Sequence, residues 1–388
     1  MLKYAALLFI ANICTTVYAQ YFQHIGDKEG LTQIGIMALY QDKLGRIWMG
    51  SQEGLSIYDG TNVTTYKPYA PAFNEPDGKI QLGNDVNTIV GDEKGNIFLT
   101  IDKKLFRYDI EKEEFNEIVH SPVFALTSHN GEIWYVRNDS IFFYAKDNSP
   151  HFYKKTNIKG ITCMIVFEKN ILIGSWSGLY LFEPLKSTKL LDGDIRGLFE
   201  DSRKRIWIGT QYDGAYTMNR RKELTKIPYS PGTDKGMSSL NVRTFAEDNM
   251  GNIWMGTFDG LQKYSPADGT YSFYKPQQTP NSLSHTSIYS LLCDKQNTIW
   301  VGSYYGGVNY FTPSYDLFKR YYCKPGNNNS LQFPFVGSMT EDKKGNLWIC
   351  LDGGGLNCLD PNTGIFKHYV AGKNSLPHNN LKTIAYDE

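Results

Sequence analysis

Five stretches of this chain hold an aromatic ring, a carboxylate or both, just ahead of a glycine in a recurring phrase. They are Trp176, Tyr212 with Asp213, Phe258 with Asp259, Tyr304 with Tyr305, and Asp352. A ring face suits the CH groups of a sugar, and a neighbouring carboxylate accepts hydrogen bonds from its hydroxyls. That pairing serves recognition of a carbohydrate more readily than bond cleavage. The same residues could instead pack on adjacent loops or on a neighbouring domain, because exposed aromatics also mark protein interfaces. Catalytic signals are weaker. The histidines (His24, His120, His129, His151, His285, His368 and His378) are scattered, and no pair falls at equivalent positions where an acid and a base could converge. The acidic pairs have no spacing that builds an oxygen cage for a metal. Gly353-Gly354-Gly355 lacks the Lys-Ser/Thr of a phosphate loop. Neither a metal nor a cofactor is therefore expected.

The element that must position these residues is a repeat. Its clearest copy runs Asp248-Asn249-Met250-Gly251-Asn252-Ile253-Trp254-Met255-Gly256-Thr257-Phe258-Asp259-Gly260-Leu261. The anchor residue recurs at Trp48, Phe98, Trp134, Leu172, Trp207, Trp254, Trp300 and Trp348, with spacings of 35 to 50 residues. That period belongs to propellers and solenoids. The sixth unit reads as four short strands. Asn241 to Glu247 alternates apolar and polar residues, Ile253-Trp254-Met255 is an apolar run, and Leu261 to Tyr264 and Tyr271 to Tyr274 complete the set. Asp, Asn and Gly form the turns between them, through local hydrogen bonds and tolerance of positive φ. The expectation is an all-β protein, a β-propeller of four-stranded blades, with its tryptophans between blades as core.

Strand alternation then puts the first and third connections of each blade on one face, and the second and inter-blade connections on the other. The second face receives the candidate residues and the long stretches 67–85, 229–239, 275–285 and 324–334. As equivalent positions in neighbouring blades, the candidates should form an arc around the axis.

Forty basic and forty acidic side chains cancel, so the chain lacks the electrostatic footprint of a nucleic-acid binder. At the start, Lys3 precedes an apolar run from Tyr4 to Val17, and a small residue, Ala19, follows. This is the plan of a secretory signal cleaved after Ala19, and the run is short for a membrane span. Cys14 raises a lipoprotein reading, but Ile13 stands where a small residue is normally required. The expected location is periplasmic, with no span in the rest of the chain. Cys163, Cys293, Cys323, Cys350 and Cys358 remain, an odd number with no CxxC pair, which indicates neither a zinc site nor a disulfide framework. Cys350 fills the slot of Gly50, Gly209, Gly256 and Gly302, as a small buried residue would; a bridge to Cys358 stays open.

The motif D-x-x-G-x-[IL]-W-[MVI]-G-[ST]-x-x-G-[LV] closely resembles the two-component regulator propeller repeat. The resemblance covers residues 21–388. It is strong in units one and five to eight and degenerate in units two to four, where Phe98 and Leu172 replace Trp, and Thr100 and Val136 replace Gly. It implies the periplasmic sensor region of a hybrid two-component protein controlling polysaccharide use. In that plan two seven-bladed propellers precede a β-sandwich, a membrane helix and a kinase. The implied domains are a signal peptide (1–19), a first propeller of seven units (20–331) and the start of a second (332–388), with one eight-bladed propeller as the alternative. Residues 21–25 are expected to add an outer strand that closes the ring. Leu381 to Glu388 matches Val242 to Asp248, the opening strand of a ninth unit, so the chain reads as a fragment of a hybrid histidine kinase or a truncated reading frame. Kinase and receiver motifs are not found in it, and no catalysis is expected. The implied partners are an oligosaccharide, and a second propeller, a partner sensor subunit or a second copy of the chain. The rival function is an exported propeller lyase acting on a glycan or a cyclic peptide lactone. A WD-repeat scaffold is disfavoured, because the WD dipeptide is absent.

Overall fold

The computed structural model describes residues 20–387, apart from 32, 67–68, 72–78, 82, 93, 111, 146–148, 280, 314–320, 322, 324–325 and 362. The expected leader and its cleavage point lie outside the described residues.

The second strand of each regular repeat is an apolar run ending in a small residue. Ile47–Ser51, Ile206–Thr210, Ile253–Thr257 and Ile299–Ser303 are buried along their whole length. Such runs suit a strand covered on both faces. The Asp that opens the preceding turn shapes it from within: Asp248 Oδ1 accepts the backbone N–H groups of Met250 and Asn252, both at 3.0 Å. Its other oxygen, Oδ2, accepts the indole N–H of Trp254 at 2.9 Å. The same bond joins Asp42 to Trp48, Asp201 to Trp207, Asp294 to Trp300 and Asp342 to Trp348. Asp and Trp, six residues apart, are therefore one unit: the turn former also satisfies the polar atom of the core residue, which a buried indole requires. At Asp342 the indole of Trp348, followed by the Asn346 side chain, holds the carboxyl well below the usual carboxylate range.

The glycine after the tryptophan serves close approach. A Cβ on Gly50 would lie 2.5 Å from the Val86 carbonyl oxygen, and one on Gly209 would lie 2.5 Å from that of Val242. Val86 and Val242 each open the first strand of the next sheet. The motif glycine is thus where neighbouring sheets touch.

Among the described residues these units assemble into eight antiparallel four-stranded sheets and one two-stranded hairpin, Tyr69–Pro71 with Lys79–Gln81. The fold is a β-propeller of four-stranded blades, as the repeat predicted. Two compact units divide it, Met1–Ser314 and Tyr315–Glu388.

In the first unit, sheets one to six follow chain order: 36–66, 86–119, 123–155, 161–192, 195–226 and 242–274. The seventh joins Ile288–Cys293, Ile299–Ser303 and Val308–Phe311 to an outer strand from the chain start, Gln23–Ile25, in the register Gln23 with Tyr310 and Ile25 with Val308. The expected closing strand is present, and it covers an edge that would otherwise expose unpaired backbone groups. Phe22 anchors it, edge-on to Phe311 at 5.0 Å. The first strands of these sheets touch in sequence order, and the first strand of the seventh touches that of the first sheet. There Ser290 Oγ donates to the Ile36 carbonyl at 3.1 Å.

The second unit holds the eighth sheet, Val336–Glu341, Leu347–Leu351, Gly355–Asp360 and Ile365–Tyr369, over a core of Leu331, Ile349, Leu351, Leu359 and Phe366. Cys350 is buried there, and both it and Cys358 are free. Register explains the missing bridge: Cys350 faces Leu356, and Cys358 faces Trp348. Of the segment Leu381 to Glu388, read from sequence as an opening strand, the described residues 381–387 are not in a strand. Leu381 N donates to the Leu351 carbonyl at 3.1 Å, but no further strand pairs with the segment among the described residues.

Candidate functional site

Each first strand carries a register break near its start. The breaks lie between Ile36 and Ala38, Val86 and Thr88, Val123 and Ala125, Ile161 and Cys163, Ile195 and Gly197, Val242 and Thr244, Ile288 and Ser290, and Val336 and Met339. A bulge leaves one residue unpaired and re-aims its side chain. In the first unit those residues are Met37, Asn87, Phe124, Thr162, Arg196, Arg243 and Tyr289, and none is fully buried. The framework is constant at this level while the side chain changes from sheet to sheet.

The sequence-predicted arc resolves into separate groups. Across the sixth and seventh sheets, the guanidinium of Arg243 lies 5.2 Å from the ring centre of Phe258 and 4.4 Å from that of Tyr289. Its Nη1 donates to Ser287 Oγ at 2.7 Å, and burial lowers its pKa from the usual arginine value. Tyr289 stacks on Tyr304 at 5.3 Å, and Tyr304 meets Tyr305 edge-on at 4.3 Å. Asp259 accepts a hydrogen bond from Ser239 Oγ at 2.6 Å. Phe258, Tyr304 and Tyr305 are therefore brought together, by an arginine the sequence reading did not single out.

Tyr212 stands 76% exposed on the fifth sheet. Its neighbour Asp213 is bound by Lys226 and the Tyr216 hydroxyl, which hold its carboxyl below the usual range, Lys226 contributing most. Both partners belong to the outer two strands of that sheet, so Asp213 is committed to its own blade. Asp352 lies in the second unit, paired with Lys382.

Trp176 belongs to a different feature, a cleft of about 690 Å³ lined from the second, third and fourth sheets. Phe124, Asn87, Thr100, Lys103, Asp139 and Lys159 share its walls. The indole lies over Gly160, whose φ is +64 and whose Cβ, if present, would meet the Trp176 ring at 2.8 Å. That glycine permits the close approach and leaves Trp176 67% exposed, whereas Trp48, Trp207 and Trp254 are buried. Sequence reasoning missed the other lining residues. The available signal was the degenerate repeat, because Thr100 stands in the motif-glycine slot.

Among the described residues, no three His, Cys, Asp or Glu side chains are grouped as metal ligands, and no helix is long and apolar enough to cross a membrane.

The family model of the two component regulator propeller matches residues 189–212, 236–259 and 282–305, stretches that take in Trp207, Trp254 and Trp300 of the regular fifth to seventh repeats. No curated protein matches the chain. Among solved structures, the extracellular domain of the hybrid two component system BT3049 from B. thetaiotaomicron superposes with a TM-score of 0.70 at 22% identity, over 90% of this chain and 49% of that one. That of BT4673 from the same organism gives 0.60 at 18% identity, over 93% and 55%. Virginiamycin B lyase from Staphylococcus aureus gives 0.56 at 14% identity, over 75% and 98%. At these identities the likeness establishes the fold, and the chain spans about half the length of the two extracellular domains.

Proposed function

We propose that this chain, which carries two component regulator propeller repeats, is the exported ligand-sensing part of a hybrid two-component sensor, and that its ligand is a carbohydrate. The observation that carries the reading is Trp176. One tryptophan turns a face to solvent beside a cleft, in a unit that buries its motif tryptophans Trp48, Trp134, Trp207, Trp254 and Trp300. Binding residues on loops held by a rigid framework are the usual arrangement for recognition. The aromatic group of Phe258, Tyr304 and Tyr305 offers a second stacking surface on the same type of turn. The domain assignment proposed with it is a seven-bladed ring in residues 20–331, followed from 332 by the start of a second propeller. That propeller, a partner sensor subunit or a second copy of the chain would receive the signal. A ligand that prefers one arrangement of these bodies shifts their populations and so reports its presence.

Titration calorimetry of the chain without residues 1–19 against a panel of oligosaccharides tests this, with binding of at least one glycan as the expected result. Binding only by a chain extended through a second propeller would remove the self-sufficient site. Turnover of a glycan, or of a cyclic peptide lactone, would replace the sensor with a lyase. The amino terminus of the exported protein, read by mass spectrometry, is expected to be Gln20.

A further inference from the structure

Within the carbohydrate reading, we infer that the ligand occupies the cleft of the second to fourth sheets and carries a carboxylate or sulfate group. The first observation is mechanical. At Gly50, Gly174, Gly209, Gly256 and Gly302 a Cβ would come within 3.0 Å of the first residue of the next sheet or of its own sheet's first strand. In the second sheet that slot holds Thr100, and its counterpart in the third sheet is Val123. Both line the cleft. The first strands of these two sheets also touch less than those of any other neighbouring pair in the ring. The gap therefore opens where the spacing rule of the repeat is broken. Val136, in the same slot of the third sheet, is buried without separating the third and fourth sheets.

The second observation is chemical. The bulge residues of the two parted strands, Asn87 and Phe124, both reach the cleft, the latter 44% exposed. Trp176, seated on Gly160, supplies a second apolar face. Two rings and an amide around the cleft match a sugar, apolar on its faces and polar at its rim. The charges on the lining are Lys103, Lys159 and Asp139. Asp139 accepts a hydrogen bond from Ser140 Oγ at 3.0 Å, while neither lysine makes an ion pair or a side-chain hydrogen bond among the described residues. Two further carboxylates, Asp102 and Asp85, are not on the lining. Asp102 accepts the backbone N–H of Asp85 at 3.0 Å, and Asp85 accepts the Asn87 side-chain amide at 2.8 Å. Two lysine cations without ion-pair partners against one carboxylate leave the lining with an excess of positive charge, which favours an anionic group on the ligand.

The test compares galactotriose, trigalacturonate and a sulfated galactotriose, within a wider panel of matched neutral and acidic trisaccharides. Binding to the chain without residues 1–19 is followed by calorimetry and tryptophan fluorescence at low and high salt. The expected results are at least about tenfold preference for acidic members at low salt, reduced at high salt, and a fluorescence change lost in Trp176→Phe. Trp176→Ala and Phe124→Ala should each weaken binding about tenfold, while Lys103→Gln with Lys159→Gln should lower affinity for acidic members alone. Circular dichroism melts establish that each variant is folded. Loss of binding in Phe258→Ala or Tyr305→Ala with Trp176→Ala unaffected overturns the location and leaves the carbohydrate reading standing. Equal affinity for neutral and acidic members at the cleft overturns the anionic ligand only. No binding by any panel member overturns both this inference and the carbohydrate reading.

Discussion

The first, fifth, sixth and seventh sheets obey one rule, and the second, third and fourth break it in different ways. In the regular sheets, Asp closes the turn and holds the indole, and glycine admits the next sheet. The third sheet keeps its tryptophan but has a shorter first turn through Asn130 and Gly131, both at positive φ. A two-residue hairpin of this kind has no place for the Asp. The Trp134 indole nitrogen is consequently buried without a partner. The second sheet keeps its Asp but has Phe98 as anchor, so the carboxylate oxygen that elsewhere accepts an indole takes only the Asn96 amide, at 2.6 Å, a bond the sixth sheet makes in addition to its indole. Regularity gives every motif indole its carboxylate and seats each sheet closely on the next. Loss of regularity leaves an orphaned donor and the cleft, on sheets that still pair into four strands. The cleft has arisen where the repeat is weakest as a repeat.

The comparison can be broken most forcefully at a motif glycine. Gly209→Val sets a side chain against the Val242 carbonyl, a backbone atom that cannot turn aside. It should destabilise the chain by about 3 kcal/mol in urea unfolding; a loss within experimental error would show that glycine is not the spacing device. Next comes a matched pair. Trp254→Phe removes a donor from buried Asp248 and should cost about 2 kcal/mol, whereas Trp134→Phe also removes an unpaired polar atom and should cost less than about 1 kcal/mol. Equal losses would mean the Asp bond adds little. Thr100→Gly, the reverse of the first change, should cost about 1 kcal/mol through backbone freedom and lost contacts, and it should weaken ligand binding by letting the parted sheets close. The smallest effect is expected at Asp342. Its folded-state pKa is depressed below the ordinary 3.8, so the stability it contributes is fully present above that value and is lost as pH falls from there through the lower folded-state pKa. Asp342→Asn should flatten the acid side of the stability–pH curve, and an unchanged curve would deny the bond to Trp348 an electrostatic role.

Much of the architecture was legible because it is local. Trp254, Asp248 and the glycines Gly251 and Gly260, at φ of +78 and +140, sit in a contiguous stretch whose turn and strand chemistry can be read directly. The closing strand near Phe22 was also legible, as a short extended stretch before the first repeat. The site was less so. Asn87 and Phe124 sit in ordinary strand sequences, and only a register break, visible in the pairing of two strands, marks them. Arg243 gathers Phe258 and Tyr289 from two sheets, and no spacing along the chain announces that meeting.

The amino-acid sequence by itself determined the blade, its four strands, its buried tryptophans and the turn position given over to variable aromatic residues, since each depends on neighbours within about one repeat. Tertiary structure alone decided which of those aromatics share a surface, that Asp213 is spent within its own blade, and that the sheets part beside Thr100. Those outcomes depend on how one repeat seats against the next, through single atoms at a glycine and through bulged backbone whose direction no pattern of residue types encodes.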